Sequence, residues 1–341
     1  MNIHSLRTSN AAVVATILAG AITPAYQPDA PLRHEMVTTA NASLFNEAFF
    51  SEPNTLYALG WRDPAGYEAA SDFIAPPLGG IVGQLYEHIE YPNAEAFLSD
   101  DATDDLRPIG ADFKTVDYTR TRQRREIPNR GLRMVLDWDR IRTVPNWQQI
   151  YTAQLLQRLQ RNAYRRKVAL AIATGTAQAL TWDPAGAADP DKDLVDQALQ
   201  AGDSSGIAPN RVLWGSAAKL LRMATYGATN TAKAMAGRTL SAEQASERAG
   251  LEALVDEKRY QSGATKTRIV GSKIVLFNAY STSGEDPSNF KTARGTTMQG
   301  GQYAVYVRQI SVKFWEIVVE TYETEFAATT LGCRTLTVAA A

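Results

Sequence analysis

The sequence predicts an α+β fold, and three observations carry that expectation. A two-armed extended stretch occupies residues 82–125. One helix of unusual length follows Pro145. The later strands and helices lack the regular strand-helix alternation of a doubly wound sheet.

The extended stretch comes first in the argument. One arm, IVGQLYEHIEYPNAEAF, and its return, FKTVDYTRTRQRREI, carry β-branched and aromatic residues suited to strands. SDDATDDLRPIGAD between them has the Gly, Pro and Asp of a loop. At about 3.3 Å per residue, arms of roughly twenty residues would reach about 65 Å. A compact chain of this length has a radius of gyration of about 20 Å. Such a hairpin must project, and an isolated two-stranded hairpin is marginal in water, so contacts outside the subunit are expected to hold it. Its tip gathers Asp100, Asp101, Asp104 and Asp105 with Arg107, and its return arm carries Arg120, Arg122, Arg124 and Arg125.

The long helix is read from WQQIYTAQLLQRLQRNAYRRKVALAIAT, ending at Gly175, which is about 42 Å of helix. Asn146 and Gln149 have the spacing of a capping box. Leu155, Leu156, Leu159, Ala163 and Leu170 share one face, and Arg158, Arg161 and Arg165 lie on the other. Those arginines suit either a solvated face or a surface that meets nucleic acid.

Beyond it, TWDPAGAADPD is a boundary. Asp189 and Pro190 start a helix with Leu194, Val195, Ala198 and Leu199 as its buried stripe and Gly202 as its C-cap. RVLW reads as a buried strand, SAAKLLRMA as a helix, and Ser241 with Gln244 as the capping box of another. KIVLFNAY and YAVYVRQI are apolar strands separated by STSGEDPSNFKTARGTTMQGG, a surface loop by composition. In the last long strand, Glu316, Glu320, Glu323 and Glu325 match the four arginines of the return arm, and the two strands are expected to pair.

Composition narrows the function classes. The chain has 341 residues, 45% hydrophobic and 21% charged, ordinary for a globular protein. A net charge of −1 argues against a global nucleic-acid binder and leaves only local contact. The lone Cys333 excludes an internal disulfide framework and any thiolate metal cluster. AAVVATILAGAI, residues 11–22, mimics a weak secretory signal but is too short to span a bilayer, so it reads as an N-terminal arm.

No cofactor, metal or catalytic residue is expected. Gly202-Asp203-Ser204-Ser205-Gly206 satisfies G-x-S-x-G, yet it follows a helix and leads into a strand, the reverse of a nucleophile elbow. His4, His34 and His88 all precede it, so the hydrolase order of serine, acid and histidine is not available. Asp189, Asp191 and Asp193 resemble the start of a calcium loop, but Leu194 and Gln200 stand where Gly and a bidentate Glu are required. Asn41-Ala42-Ser43 is a glycosylation sequon by pattern only. Trp61, Trp138, Trp147 and Trp315 read as core or interface anchors.

SDFIAPPLGG, RPIGADFKTVDYT, DPDKDLVDQALQ, GIAPNRVLWGSAAKLLRM and VKFWEIVVETYETEFAATTLGCRTLTV occur in an order that resembles the major capsid proteins of tailed bacteriophages, with the Hong Kong 97-type fold. The resemblance runs from about residue 36 onward. It implies an N-terminal arm (1–35), a first part of a peripheral domain (36–81), an extended loop (82–125) and the peripheral domain with its spine helix (126–185). An axial domain (186–310) and a closing long strand with a C-terminal strand (311–341) complete it. It further implies a non-enzymatic structural protein of the virion, assembled in the bacterial host cytoplasm. Hexamers and pentamers of this chain would form an icosahedral shell around double-stranded DNA.

The implied partners are other copies of the chain, packaged DNA held by weak non-specific contact, separate scaffold and portal proteins, and an optional decoration protein; no membrane is involved. Asp100, Asp101, Asp104, Asp105, Arg107, Arg120 and Arg122 would make the inter-subunit contacts of the loop, and Arg158, Arg161 and Arg165 would face interior DNA. Some relatives crosslink through a loop lysine, but none stands in Ser99 to Gly110, and Lys114 lies further along the return arm. An encapsulin-type nanocompartment, which holds cargo protein, is the alternative in the same fold, and an α+β hydrolase the alternative outside it.

Overall fold

A computed structural model describes residues 47–340 except 79–84, 95–97, 99–104, 108, 114, 116–119, 184–187, 229–230 and 281–285. The N-terminal arm, the sequon at Asn41, and Asp100, Asp101 and Asp104 therefore lie outside the described residues. The chain divides into two compact units, Met1–Phe50 and Ser51–Ala341. Of the first, a single 3-10 turn at Glu47–Phe49 and Phe50 are described. Everything below concerns the second.

Its first sheet is organised by one strand. β13 (Phe314–Ala327) pairs antiparallel with β4 (Asn129–Asp137) on one side; on the other it pairs with β12 (Tyr303–Gln309) and then β11 (Phe290–Gly295). A short β1 (Pro77–Leu78) joins β11 in parallel. Side chains alternate along a strand, so Ile317 and Val319 share a face. They pack with Leu136, Val305, Leu155 and Leu156.

The second sheet has the order β5-β14-β10-β6-β7, built from β5 (Thr176–Trp182), β14 (Arg334–Ala340), β10 (Lys273–Phe277), β6 (Arg211–Gly215) and β7 (Glu252–Asp256). Both faces of its centre are covered, which is why RVLW and KIVLF read as continuous apolar runs. Val212, Trp214, Ile274 and Leu276 pack with Trp182 and Leu194 on one side. Leu213, Val275 and Phe277 pack with Tyr164, Val168 and Ala171 on the other.

The helices are α1 (Glu52–Gly60), α2 (Tyr67–Ile74), α3 (Trp138–Ile141), α4 (Trp147–Thr174), α5 (Pro190–Ser205), α6 (Ser216–Ala228), α7 (Ala232–Thr239) and α8 (Ala242–Arg248). The 28-residue α4 is the expected long helix, with Gly175 at its C-cap. It serves both sheets: Leu155 and Leu156 bury against the first, and Tyr164, Val168 and Ala171 against the second. Gly175 is required where the helix ends, because a Cβ there would lie 2.4 Å from Thr335 Oγ1 and 2.9 Å from the Thr335 backbone nitrogen.

Several expectations are corrected. Asn146 adopts a left-handed backbone (φ 54°) and makes no side-chain cap bond, so the capping box with Gln149 does not form. The box at Ser241 does: Gln244 N donates to Ser241 Oγ at 3.2 Å and Ser241 N to Gln244 Oε1 at 3.0 Å. In α5, Asp189 caps the start as read, but the helix continues through Gly202 to end at Gly206 (φ 74°). Its buried stripe is Pro190, Leu194, Gln197 and Ala201; Val195 and Leu199 lie off that stripe and are exposed.

The segment read as a surface loop contains β11, whose Lys291 and Arg294 make it look solvated. Both cations are inside, Lys291 2.8 Å from Asp286 and Arg294 2.8 Å from Asp72. The fully buried tryptophans are Trp182 and Trp214, whereas Trp138 is 40% exposed. Sheet membership also cuts across the six expected segments, since β11 and β12 join the first sheet and β14 closes onto the second.

Candidate assembly surface

The extended segment forms a ribbon of β2 (Leu85–Glu90) and β3 (Thr121–Glu126), antiparallel, with Leu85 opposite Glu126 and Glu90 opposite Thr121. Among the described residues six pair on each strand, where arms of roughly twenty were expected. Pro92, which cannot donate to a ladder, lies just past the last pair. The ribbon is seated at its base. His88 is buried, its ring 4.3 Å from that of Phe326 and stacked at 5.9 Å on Tyr86. His88 Nε2 lies 3.2 Å from Glu90 Oε1, and Arg125 reaches the same carboxylate at 3.3 Å. Burial holds the His88 pKa below its usual value against the opposing bond from Glu90.

Beyond the base, apolar side chains face solvent. Leu106 is 75% and Phe113 70% exposed, and Ile109 is fully exposed. Asp105, Arg107, Arg120 and Arg122 are all exposed, with the Arg107 guanidinium 5.5 Å over the Phe113 ring.

The glutamates of β13 do not meet the arginines of β3, because β3 pairs with β2 and β13 with β4, β11 and β12. Alternation divides the four glutamates between two faces. Glu316 binds Arg133 at 3.1 Å and Arg308 at 2.5 Å, and Glu320 accepts from Asn129 Nδ2 at 2.8 Å and Tyr306 Oη at 2.9 Å. Glu323 and Glu325 point to α4, where Arg166 binds Glu325 at 2.7 Å.

Lys167 is the residue sequence reasoning missed. It is fully buried, with Nζ 3.6 Å from both Asp72 Oδ1 and Glu323 Oε1. Burial lowers its pKa, partly opposed by those carboxylates. The signal was present: Lys167 stands four residues after Ala163 and four before Ala171, on the buried stripe of α4. Tyr164 beside it donates to Asp256 Oδ1 at 2.7 Å, and burial raises the pKa of both groups.

Of the arginines on the opposite side of α4, Arg158, Arg161 and Arg165 are all exposed. Arg161 lies 5.4 Å over the Tyr67 ring, and Arg165 4.0 Å over the Tyr260 ring.

The catalytic decoys dissolve into structure. Ser204 and Ser205 stand in the last turn of α5, and both hydroxyls donate to Ala201 O, at 3.1 and 2.7 Å. Asp189 accepts from Tyr226 Oη at 2.7 Å, Asp191 from Arg222 Nε and Nη2 at 2.6 and 2.9 Å, and Asp193 from Trp182 Nε1 at 2.9 Å. Among the described residues no group of three His, Cys, Asp or Glu is arranged to hold a metal, and no helix is long and apolar enough to cross a membrane. Cys333 is buried, which pushes its thiol up to about 12.

Solved structures similar to this chain include a phage-related protein from Bordetella bronchiseptica RB50, at 15% identity and a TM-score of 0.62, covering 84% of this chain and 96% of that one. The capsid structure of the cyanophage P-SCSP1u is 10% identical with a TM-score of 0.50, covering 79% and 88%. No family model and no curated protein matches the sequence. At such identities the likeness is one of fold. The α+β fold expected from the sequence is the fold observed.

Proposed function

We propose that the chain is a major capsid protein: a non-enzymatic subunit that self-assembles into an icosahedral shell enclosing double-stranded DNA. One observation carries this beyond fold likeness. The β2–β3 ribbon leads to Leu106, Ile109 and Phe113, all exposed, and a concentration of exposed apolar side chains marks a surface that another molecule covers. A second copy is the natural one, since the ribbon is seated on its own subunit at its base, and a two-stranded projection beyond such a seat is marginal in water.

In this reading the first sheet and α4 form the peripheral region, and the second sheet with α5 to α8 the axial region at five-fold and six-fold vertices. The loop lies on the adjacent subunit through Asp100, Asp101, Asp104, Asp105, Arg107, Arg120 and Arg122. Arg158, Arg161 and Arg165 face the DNA. A separate scaffold and a portal serve assembly in the bacterial cytoplasm. Free energy comes from many repeated interfaces of modest area.

Negative-stain microscopy of the expressed chain tests this. Closed shells or polyheads support it, and a monodisperse monomer at high concentration sinks it. Shells that hold protein cargo and no nucleic acid would select the encapsulin alternative.

A further inference from the structure

A second cationic element stands beside the arginines of α4, and nothing in the sequence reading singled it out. β8 (Arg259–Ser262) and β9 (Thr265–Arg268) form a small antiparallel hairpin in which Arg259 is directly opposite Arg268 and Gln261 opposite Lys266. Directly opposed residues of such a ladder project from the same face. Arg259, Arg268 and Lys266 therefore share one face, and Tyr260 with its partner Thr267 occupies the other. The Tyr260 face is the seated one, since the Arg165 guanidinium lies 4.0 Å over its ring. Just before the hairpin, Lys258 lies 5.3 Å over the Tyr67 ring, on which Arg161 also sits at 5.4 Å.

Like charges directly opposed on a ladder are destabilising unless something compensates them. Nothing within the described residues does. Arg158, Arg161, Arg165, Arg259, Lys266 and Arg268 make no ion pair there, the side chain of Lys266 bonds only the neutral Gln261, and Lys258 alone feels a carboxylate, that of Asp256, without pairing closely. Nearby acids are already engaged. Asp256 is buried against Tyr164, Asp63 accepts from the Ala65 and Tyr67 backbone amides, and Glu257 pairs with Lys219. In a chain of net charge −1 this is a local concentration of charge, not a global excess.

We infer that the β8–β9 hairpin and the arginine face of α4 form one surface that binds the phosphate backbone of nucleic acid without reading its sequence. Two features favour a polyanion over an acidic protein partner. Protein interfaces are built around an apolar core, and none of the exposed large hydrophobic residues lies between 256 and 270. A guanidinium stacked on a ring keeps its charge and its outward N–H edges, the geometry that phosphate oxygens accept. The inference deepens the shell reading, which supplies the nucleic acid to be bound, but its test does not require a shell.

The full-length chain, held below its assembly concentration, is titrated against a random-sequence double-stranded DNA fragment at several salt concentrations, alongside the triple variant Arg259→Gln, Lys266→Gln, Arg268→Gln. Each phosphate contact adds about 0.9 to the slope of log affinity against log salt. The variant should therefore lose about 2 to 3 from that slope and bind about tenfold or more weakly at low salt. Replacing Arg259 and Arg268 by Lys should keep the wild-type slope. Equal slope and affinity in the Gln variant overturn the inference, as does loss of binding in a Lys variant that folds normally, since it keeps every charge. Shell assembly lost with DNA affinity unchanged would assign the surface to an acidic segment of a neighbouring copy instead. If the wild-type chain binds DNA through the hairpin yet never forms shells, the shell reading fails while this one stands.

Discussion

Lys167 Nζ lies 3.6 Å from Glu323 Oε1, with both residues buried between α4 and β13. At that distance the pair is ionic without a close hydrogen bond, and Asp72 and Arg294 complete the cluster. Removing one partner leaves the other buried with one counter-charge fewer, Lys167 with Asp72 or Glu323 with Arg294, a loss toward the lower end of the about 3 to 5 kcal/mol that breaking a buried pair costs, whereas an apolar pair of similar volume is often neutral. Lys167→Met and Glu323→Leu should each lower stability by about 3 kcal/mol. The double variant should lose less than the sum of the two. Urea unfolding of the unassembled chain measures this, and strict additivity would show that the pair does not couple.

The ribbon base should respond to pH through His88. Its folded pKa is below the unfolded value of about 6.5, so the unfolded segment takes up a proton before the folded one does. Stability from the neutral imidazole is then full above about pH 6.5 and declines as pH falls through the lowered folded pKa. Glu90 and Arg125 act on the ring, and Asp286 and Lys291 line the same cleft. Hydrogen exchange of β2 and β3, corrected for intrinsic rates, should show less protection at pH 5.5 than at 7.5. His88→Gln should remove the difference.

Replacing Glu95 to Asp112 by a short Gly-Ser bridge should leave a folded subunit that no longer closes shells. The β2–β3 pairing lies outside the deletion, so the base should survive. Sedimentation showing closed particles from this variant would count against the role given to the loop.

Ser204→Ala should change stability by no more than about 0.5 kcal/mol, the usual range for a surface position. Its hydroxyl caps only the Ala201 carbonyl, and Ser205 donates to the same oxygen. Loss of hydrolysis of a generic ester in this variant would overturn the non-enzymatic reading.

Where local chemistry governs, the sequence was readable. α4 begins at Trp147 and stops before Gly175 as its apolar spacing and glycine indicate, and α8 opens on the Ser241 box. Where tertiary partners override appearance, it was not. Lys291 and Arg294 disguised β11 as a loop because their carboxylates come from residues 286 and 72. The glutamates of β13 looked like one cluster because strand parity matters only once the partners on each face are known. Of the surface residues, Arg161 and Arg165 are on the face expected, but the hairpin beside them is joined through Tyr260, a contact no spacing in the chain announces.

The position of β13 also governs the order in which the molecule can be made. Asn129 pairs with Tyr322, 193 residues later, and β5 pairs with β14 in parallel. Neither sheet can close until residues 314–340 have left the ribosome. Until then β4, β5, β10, β11 and β12 present open edges, the form in which chains pair with the wrong neighbour. Such distant pairing is slow, so a cell making many copies at once would hold a standing pool of half-paired chains, and the yield of native subunit should fall as synthesis outpaces closure.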